Sequence, residues 1–413
     1  MIKLKDIIAA KDALQKEISP LDLQKRRILL VERCKDTHGR FFEVPRPLDI
    51  GAITKAFASS LFVVFGLHHN LKEGLSFLEY ASKIFLILAQ ENRLAAYFAR
   101  DMENLKGNLH FSYLNYDEAI HHYQNALAQE KKPERRAICL LNMARVLIGS
   151  AKFISALECL EMVKIEHIVG PLLATTHLLR ARILLVLGFS QLAFRNITFA
   201  SSVKETNSQV DLECRYLMIY AEMKFSEKSK LQQDYASLAT FLEKNGRVDQ
   251  ASFYTLEWMI ISLVTNHESI KNKQIFLEKL RHLADRHQQQ NLALLGKDLH
   301  EFIMNKGEFR KFERLGKSFK LLLKDGHYLL YQLLMAHFIL VLLHRRYFDR
   351  ALEFLTELET YHRETLSKIP PKLHDLLANE PNTIKGILSE IRNRLPASSI
   401  EKIDGLGLSI FKI

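Results

Sequence analysis

The chain has 413 residues, of which 48% are hydrophobic, so it can bury a substantial core, and a disordered polypeptide is excluded. Its 9 prolines and 16 glycines are few for this length, which disfavours a turn-rich all-β protein and predicts an all-α protein. The formal net charge of +11 favours an anionic partner, which could be nucleic acid, a membrane surface or an acidic protein segment.

Cysteine usage and hydropathy predict a cytoplasmic protein. Cys34, Cys139, Cys159 and Cys214 form no CxxC pair, and we expect reduced thiols in the core. The first fifteen residues interleave charged and apolar side chains, unlike a secretory signal. The most apolar run, Tyr328–Leu343, is shorter than the ~20 residues of a membrane span. We therefore expect a buried helix there and no membrane partner.

The N-terminal part of the chain divides into a lead-in and the first helices of an array. Residues 1–50 are polar and charge-mixed and include a Pro45-Arg46-Pro47 break, so we predict an N-terminal capping segment. From residue 51 the apolar residues follow the i, i+3, i+4, i+7 spacing of helices with one buried face. These residues are Ala58, Leu61, Phe62 and Phe65 on a first helix, and Leu71, Gly74, Leu78 and Ala81 on a second.

Small residues then recur at an interval of 37 positions. Ala119, Ala156 and Ala193 mark this period. Each alanine is followed by a large apolar residue four positions on and by an apolar residue seven positions on: Tyr123, Leu160 and Ile197, then Ala126, Val163 and Ala200. Self-similarity at such a period predicts stacked helix pairs, none of which buries its apolar face alone.

These segments resemble the tetratricopeptide repeat family. The resemblance is carried by Gly107–Leu127, Leu140–Val163, Ala181–Ala200, Ala58–Ala81 and the segment from Met335 to Leu358. We divide the array into tetratricopeptide-like repeats at 51–207, degenerate helical repeats at 208–330 and a terminal repeat at 331–369. The resemblance implies a right-handed superhelical solenoid of antiparallel helix pairs. It also implies that the first helices line a concave groove that binds proteins or peptides.

One ridge of the implied groove can be named from the repeat. Asn108, Arg145 and Arg182 each follow the small residue of a first helix and are 37 positions apart, and Asp101 and Asn104 lie on the same face. Guanidinium groups in a groove form bidentate bonds with carboxylates, which favours an acidic segment as the partner. The alternative is that these are ordinary solvated positions on helices.

A second candidate is the basic segment between residues 271 and 324, where Lys and Arg outnumber Asp and Glu. At 100° per residue, one stripe of a helix carries Arg310, Arg314, Lys317, Lys320 and Lys324, and the opposite side is apolar. Such a stripe could bind phosphate or an acidic partner. The alternative is again a solvated helix face.

The C-terminal segment, residues 370–413, begins at Pro370-Pro371, where the array should end. We predict a helix from Ile384 to Leu395 with an N-cap at Asn382 or Thr383, followed by a glycine-containing hairpin at 400–411. This order resembles the winged-helix DNA-binding domains of response regulators. The resemblance implies that one side of the helix reads the major groove of DNA, through Lys385, Ser389 and Arg392. A structural role for the segment is the alternative.

Motifs for catalysis, metal binding or cofactor binding are not found in the sequence. There is no HExxH, no GxSxG and no glycine-rich loop after a strand, and adjacent histidines on a helix point about 100° apart. We therefore expect no enzyme activity, no metal and no small-molecule cofactor. Two functions remain: a scaffold that binds a protein or peptide segment, and a transcriptional regulator whose C-terminal segment contacts DNA.

Overall fold

The computed structural model is all-helical over the residues that it describes, which are 4–34, 48–66, 68, 70–91, 95–204, 207–221, 228–244, 248–265, 273–286, 289–304, 309–369 and 382–395. Two compact units are present. Unit 1 comprises residues 1–150 and 158–168, and unit 2 comprises residues 151–157 and 169–413. The boundary between the two units falls inside the predicted repeat range 51–207. Repeats of the same length therefore belong to two separate cores.

Among its described residues, unit 1 contains seven complete helices and the end of an eighth. They are α1 (Leu4–Ile18), α2 (Leu23–Cys34), α3 (Ile50–Val64), α4 (Leu71–Glu91), α5 (Ala95–Ser112), α6 (Tyr116–Gln129), α7 (Pro133–Gly149) and the last residues of α8 (Phe153–Glu161), followed by a 3₁₀ turn at Ile165–His167. Consecutive helices from α2 to α7 pack on one another and are joined by short connections from α3 onward, as antiparallel neighbours are. The predicted capping segment is therefore helical where it is described.

The described part of unit 2 contains the first residues of α8 and eleven further helices. These are α9 (Gly170–Val186), α10 (Ser190–Ser202), α11 (Ser208–Ala221), α12 (Lys228–Lys244), α13 (Val248–Thr265), α14 (Lys273–Arg286), α15 (Gln290–Met304), α16 (Phe309–Lys324), α17 (Tyr328–His344), α18 (Phe348–Leu366) and α19 (Thr383–Asn393). The apolar run that begins at Tyr328 forms α17, which is buried along most of its length. Within the described ranges, none of the helices combines the length and apolar character that crossing a bilayer requires.

The predicted repeat positions are confirmed as core positions. Ala119, Ala156 and Ala193 are fully buried, and so are the large residues four positions after them. Small size is required where two helices of a pair touch. A Cβ atom placed on Gly107 would lie 2.5 Å from Cε1 of Tyr123, so only glycine fits between α5 and α6.

The turn between the helices of a pair also repeats. Leu114, Ala151 and Gly188, which are 37 positions apart, all have a left-handed backbone, with φ of 60°, 59° and 87°. After α5 and α9, the next amide closes the helix end, Asn115 on the His110 carbonyl and Phe189 on the Leu184 carbonyl. This is the six-to-one hydrogen bond of a Schellman cap, which satisfies carbonyl groups that a helix end leaves open.

The four cysteines are free thiols and are buried, as predicted. Burial raises the pKa of the Cys34 thiol to about 11, with a hydrogen bond to Ser59 opposing it. A thiol of this kind is protonated at neutral pH and packs as a small apolar group.

The helix predicted near the C-terminus is confirmed as α19. Its N-cap is Asn382, whose side chain accepts a hydrogen bond from the Lys385 amide, and its apolar face is buried as expected. The predicted hairpin at 400–411 lies outside the described residues, so the winged-helix resemblance stays a prediction.

Candidate functional site

Unit 1 contains a cavity of about 330 Å³. It is lined by α1, α3, α4, α5 and α7, and we call it the unit 1 cavity. Its apolar lining residues are Phe57, Leu61, Phe85, Phe98, Met102, Leu105 and Ile138. Its polar lining residues are Lys11, Gln15, Ser60, Asp101, Asn104, Asn108 and Asn142. The cavity therefore brings together Asp101, Asn104 and Asn108, three of the five groove residues predicted from the sequence.

Phenylalanine rings form the apolar wall of this cavity. The ring centroids of Phe57, Phe85 and Phe98 lie 5.0 to 5.4 Å from one another, within the range of favourable aromatic pairs. Ile138 also lines the cavity and is 39% exposed. The wall offers a contact surface for an apolar group that enters from outside.

Two asparagines of the cavity are held by neighbouring side chains. The Tyr123 hydroxyl donates a hydrogen bond to Asn108 Oδ1 at 2.6 Å, and Arg145 Nη1 donates one to Asn142 Oδ1 at 2.8 Å. Because both amide oxygens are engaged, the two NH₂ groups are the donors left to contact another molecule. Arg145, predicted as a groove residue, is thus the neighbour that fixes Asn142.

The amide oxygen of Asn104 is buried. The amide nitrogen of Asn104 lies 3.4 Å from the Cys139 sulfur as a hydrogen-bond donor, and its Oδ1 has no hydrogen-bond partner among the described residues. The amide groups that the cavity offers are therefore the NH₂ donors of Asn108 and Asn142. The carbonyls of a peptide main chain are the complementary acceptors.

The charges at the cavity partly cancel. Asp101 Oδ1 accepts a hydrogen bond from Arg135 at 3.2 Å, and Lys11 lies 5.6 Å from the centroid of the Phe98 ring. Burial raises the pKa of Asp101, and the nearby Arg135 opposes the shift. With Asp101 paired to Arg135, Lys11 is a further cation that lines the cavity.

Arg182, the third residue of the predicted ridge, lies in unit 2 and is engaged there. Its Nη2 donates to Glu213 Oε1 at 2.7 Å, and the guanidinium lies 6.0 Å from the centre of the Tyr216 ring. About a third of the side chain is exposed, 34%. Arg182 therefore compensates an acid of its own unit.

Beside Arg182 lies a buried acid that belongs to none of the groups predicted from the sequence. Glu257, on α13, is only 1% exposed and accepts hydrogen bonds of 3.4 Å from the hydroxyls of Tyr216 and Tyr235. Burial raises the pKa of Glu257 to about 7, while these two hydroxyls and Arg182 oppose the shift. We call Arg182, Glu213, Tyr216, Tyr235 and Glu257 the unit 2 cluster. The sequence feature that indicates this buried acid is a single glutamate within the apolar run of α13.

The basic stripe on α16 is largely ion-paired. Arg314 Nη2 lies 2.7 Å from Asp298 Oδ1, Lys317 Nζ lies 2.8 Å from Glu313 Oε1, and Lys320 Nζ lies 3.4 Å from Glu357 Oε2. Lys324 is exposed at the end of the helix, and the side chain of Arg310 lies outside the described residues. This pairing favours the solvated-face interpretation of the stripe.

The predicted DNA-contacting residues lie on α19. Lys385 and Ser389 are half-buried, whereas Arg392 is only 9% exposed. The Arg392 charge lowers the pKa of Glu359, a buried acid of α18, although burial raises that pKa overall. In this arrangement Arg392 faces the interior of unit 2.

Across the described residues, no group of three or more histidine, cysteine or acidic side chains is placed to hold a metal ion.

Comparison with known proteins establishes the fold. No family model and no curated protein matches the chain. Among solved structures, the chain is similar to the crystal structure of a Rap protein complexed with Competence and Sporulation Factor. The TM-score is 0.52 with 16% sequence identity, over 94% of this chain and 99% of that one. The fold is an all-α, tetratricopeptide-like helical repeat.

Proposed function

We propose that this protein is a non-catalytic adaptor that binds an extended segment of a protein or peptide in the unit 1 cavity. The observation that carries the proposal is the set of cavity asparagines, whose amide groups are oriented by Tyr123 and Arg145. No bond is made or broken in this function. Affinity comes from hydrogen bonds to the main chain and from burial of an apolar side chain.

The size of the cavity supports an extended segment. A volume of about 330 Å³ is at the lower end of the range for ligand pockets and is too small for a helix, whose diameter is about 10 Å with side chains. One large apolar side chain can pack against Phe57, Phe98 and Met102. Burying such a side chain contributes about 2 kcal/mol.

The amide groups support recognition of the main chain. The NH₂ groups of Asn108 and Asn142 can each donate to a main-chain carbonyl. Main-chain groups are the same for every residue, so these contacts hold a segment without fixing its sequence. The apolar wall would then supply the preference for one side chain.

The lysine that lines the cavity supports an acidic residue in the bound segment. Lys11 would attract a carboxylate, whereas Asp101 is already paired with Arg135. Lys11 is only partly buried, so the attraction affects association more than affinity and weakens as salt rises. The Rap structure supports the general mode, because that helical-repeat protein was crystallised with a bound factor.

Selection from a displayed library of random octapeptides on the full-length protein tests the proposal. We expect enriched peptides with one large apolar residue and an acidic residue. Ile138→Arg should reduce their binding at least tenfold, because it places a charge on the apolar wall. The matched control is Ile50→Arg, on a residue of unit 1 that is 44% exposed and does not line the cavity. Absence of enrichment, or equal binding by the two variants, would contradict the proposal.

DNA binding through Lys385, Ser389 and Arg392 stays the alternative function. A direct test is fluorescence anisotropy with a labelled duplex at two salt concentrations, using wild type and Lys385→Glu. Non-specific DNA binding falls steeply with salt, whereas a specific reader retains a sequence preference. If every duplex binds with the same salt-sensitive affinity, the sequence-based prediction of a reader is wrong.

A further inference from the structure

The C-terminal helix α19 depends on packing for its stability. It has 11 residues, and an isolated helix of this length is marginal in water. Ile384, Leu388, Ile391 and Leu395 are buried on one face, and α19 contacts α17 of unit 2. The helix therefore forms as a consequence of docking.

One side chain fastens the N-terminus of α19 to unit 2. Asn382 Oδ1 accepts the Lys385 amide at 3.0 Å, while Asn382 Nδ2 donates to the Leu187 carbonyl at 2.9 Å, in the turn after α9. The contact requires Gly188, which has a φ of +87°, and a Cβ on this residue would lie 2.5 Å from Asn382 Oδ1. The cap of α19 and its attachment thus depend on the same amide group.

The polar groups beneath α19 oppose its docking. Glu359 and His362 of α18 are buried, and Glu359 Oε2 has no hydrogen-bond partner among the described residues. Burial lowers the pKa of His362 to about 4, with Lys385 of α19 acting in the same direction and Asn382 opposing it. Both groups prefer contact with water, which they would regain if α19 were released.

The apolar packing beneath α19 is also incomplete. A cavity of about 50 Å³ remains between α19 and the helices α9, α10, α11, α17 and α18, and it is lined by Leu185, Leu333, Ile384 and Leu388 among others. Atoms that line such a void lose part of their dispersion contacts. Docking of α19 therefore rests on four apolar side chains, one amide and the attraction between Arg392 and Glu359, against the desolvation of Glu359 and His362 and a void.

We propose that α19 is a reversibly docked latch, which detaches while the rest of unit 2 stays folded. Release uncovers the apolar strip of Leu329, Leu333 and Leu358 on α17 and α18. It also frees Arg392, which is enclosed in the docked state. Any contact of Arg392 with another molecule, DNA included, is therefore controlled by the latch.

Native-state amide hydrogen exchange on the full-length protein tests the latch. We expect the amides of α19 to exchange at least a hundredfold faster than the core amides of α17, because they open without global unfolding. The same substitution at two glycines should act in opposite directions. Gly188→Ala should speed exchange in α19 at least tenfold, because the new Cβ collides with Asn382.

Gly386→Ala is the matched variant within α19. A Cβ on Gly386 meets nothing within 4 Å, and alanine favours the helix, so exchange in α19 should slow about fivefold. Asn382→Ala removes the attachment without altering the turn at Gly188, and it should speed exchange in α19 alone. The latch is refuted if α19 exchanges as slowly as the α17 core, or if Asn382→Ala and Gly386→Ala change α17 and α19 together or not at all.

Discussion

Asn108 and Arg145 in unit 1 and Arg182 in unit 2 occupy the same repeat position, yet the two units use it differently. In unit 1, Asn108 faces a cavity and Arg145 orients a second cavity amide, Asn142. In unit 2, Arg182 is bound to Glu213 and lies beside Tyr216. The repeat period sets the position of a residue on its helix. The neighbouring helix determines whether the side chain at that position lies at a cavity or is paired with another side chain of the fold.

The two units differ at this repeat position because the neighbouring helices contribute different side chains. In unit 2, α11 supplies Glu213 and Tyr216, and α13 supplies the buried Glu257, so a cation at this position is needed to compensate acids. In unit 1, α7 supplies the amide Asn142 and the apolar Ile138 at the cavity. Neutral amides do not require a compensating charge, and the space between them stays open.

The largest expected difference is between single substitutions of Arg182 and Arg145 by methionine. Arg182→Met should destabilise unit 2 by about 3 kcal/mol, because it leaves Glu213 and Glu257 without a compensating charge. Arg145→Met should change stability by less than about 0.5 kcal/mol, because its guanidinium is exposed. The measurement is urea unfolding, followed for both units by far-UV circular dichroism and for unit 2 also by the fluorescence of Trp258, the only tryptophan of the chain, whose ring lies 5.9 Å from the Tyr235 ring. Equal effects of the two substitutions would remove the distinction.

The second prediction concerns the pH dependence of unit 2. The folded-state pKa of Glu257, about 7, is above its ordinary value of 4.5, so the protonated form favours folding. The stabilisation that the protonated form provides is complete below pH 4.5 and is lost as the pH rises to about 7. The free energy of unfolding of Glu257→Gln, relative to that of wild type, should therefore increase by about 2 kcal/mol from pH 5 to pH 8. Trp258 fluorescence in urea at both pH values measures it. A Gln variant that is less stable than wild type at pH 8 would show that the ionised form is the favoured one.

The third prediction tests the orientation of the cavity amide in unit 1. Tyr123→Phe removes the hydroxyl that donates to Asn108 Oδ1 and should cost about 1 kcal/mol. It should also broaden the side-chain NH₂ resonance of Asn108 in NMR spectra, because the amide can then rotate. Tyr113→Phe, on an exposed tyrosine of the same unit, is the control. An unchanged Asn108 resonance would mean that Tyr123 does not fix the amide.

The smallest expected effect lies in the turns that the two units share. Leu114 in unit 1 and Gly188 in unit 2 have the same left-handed backbone, but only glycine adopts it without strain. Leu114→Gly should change the stability of unit 1 by only about 0.5 kcal/mol, in the stabilising direction, because relief of strain exceeds the entropy that glycine adds to the unfolded chain. Hydrogen exchange in α5 and α6 measures the change. Faster exchange in both helices would contradict the expected sign.

The sequence by itself determined the all-α fold, the buried repeat positions and the helix α19. Ala119, Ala156 and Ala193 could be identified because a 37-residue period of small and large residues reflects local helix pairing. The left-handed turns at Leu114 and Ala151 could not, because neither residue signals that backbone and the turn is imposed by the packing of the two helices.

Only the tertiary structure decided what the charged and amide residues do. Asp101, Asn104 and Asn108 could be placed on one helix face, but the cavity also needs Phe57 and Ile138 from distant helices. The ion pair of Arg182 with Glu213 and the burial of Arg392 likewise depend on residues far away in the chain. Helix periodicity is a local property, whereas electrostatics and access to solvent are set by whichever helices come to lie next to one another.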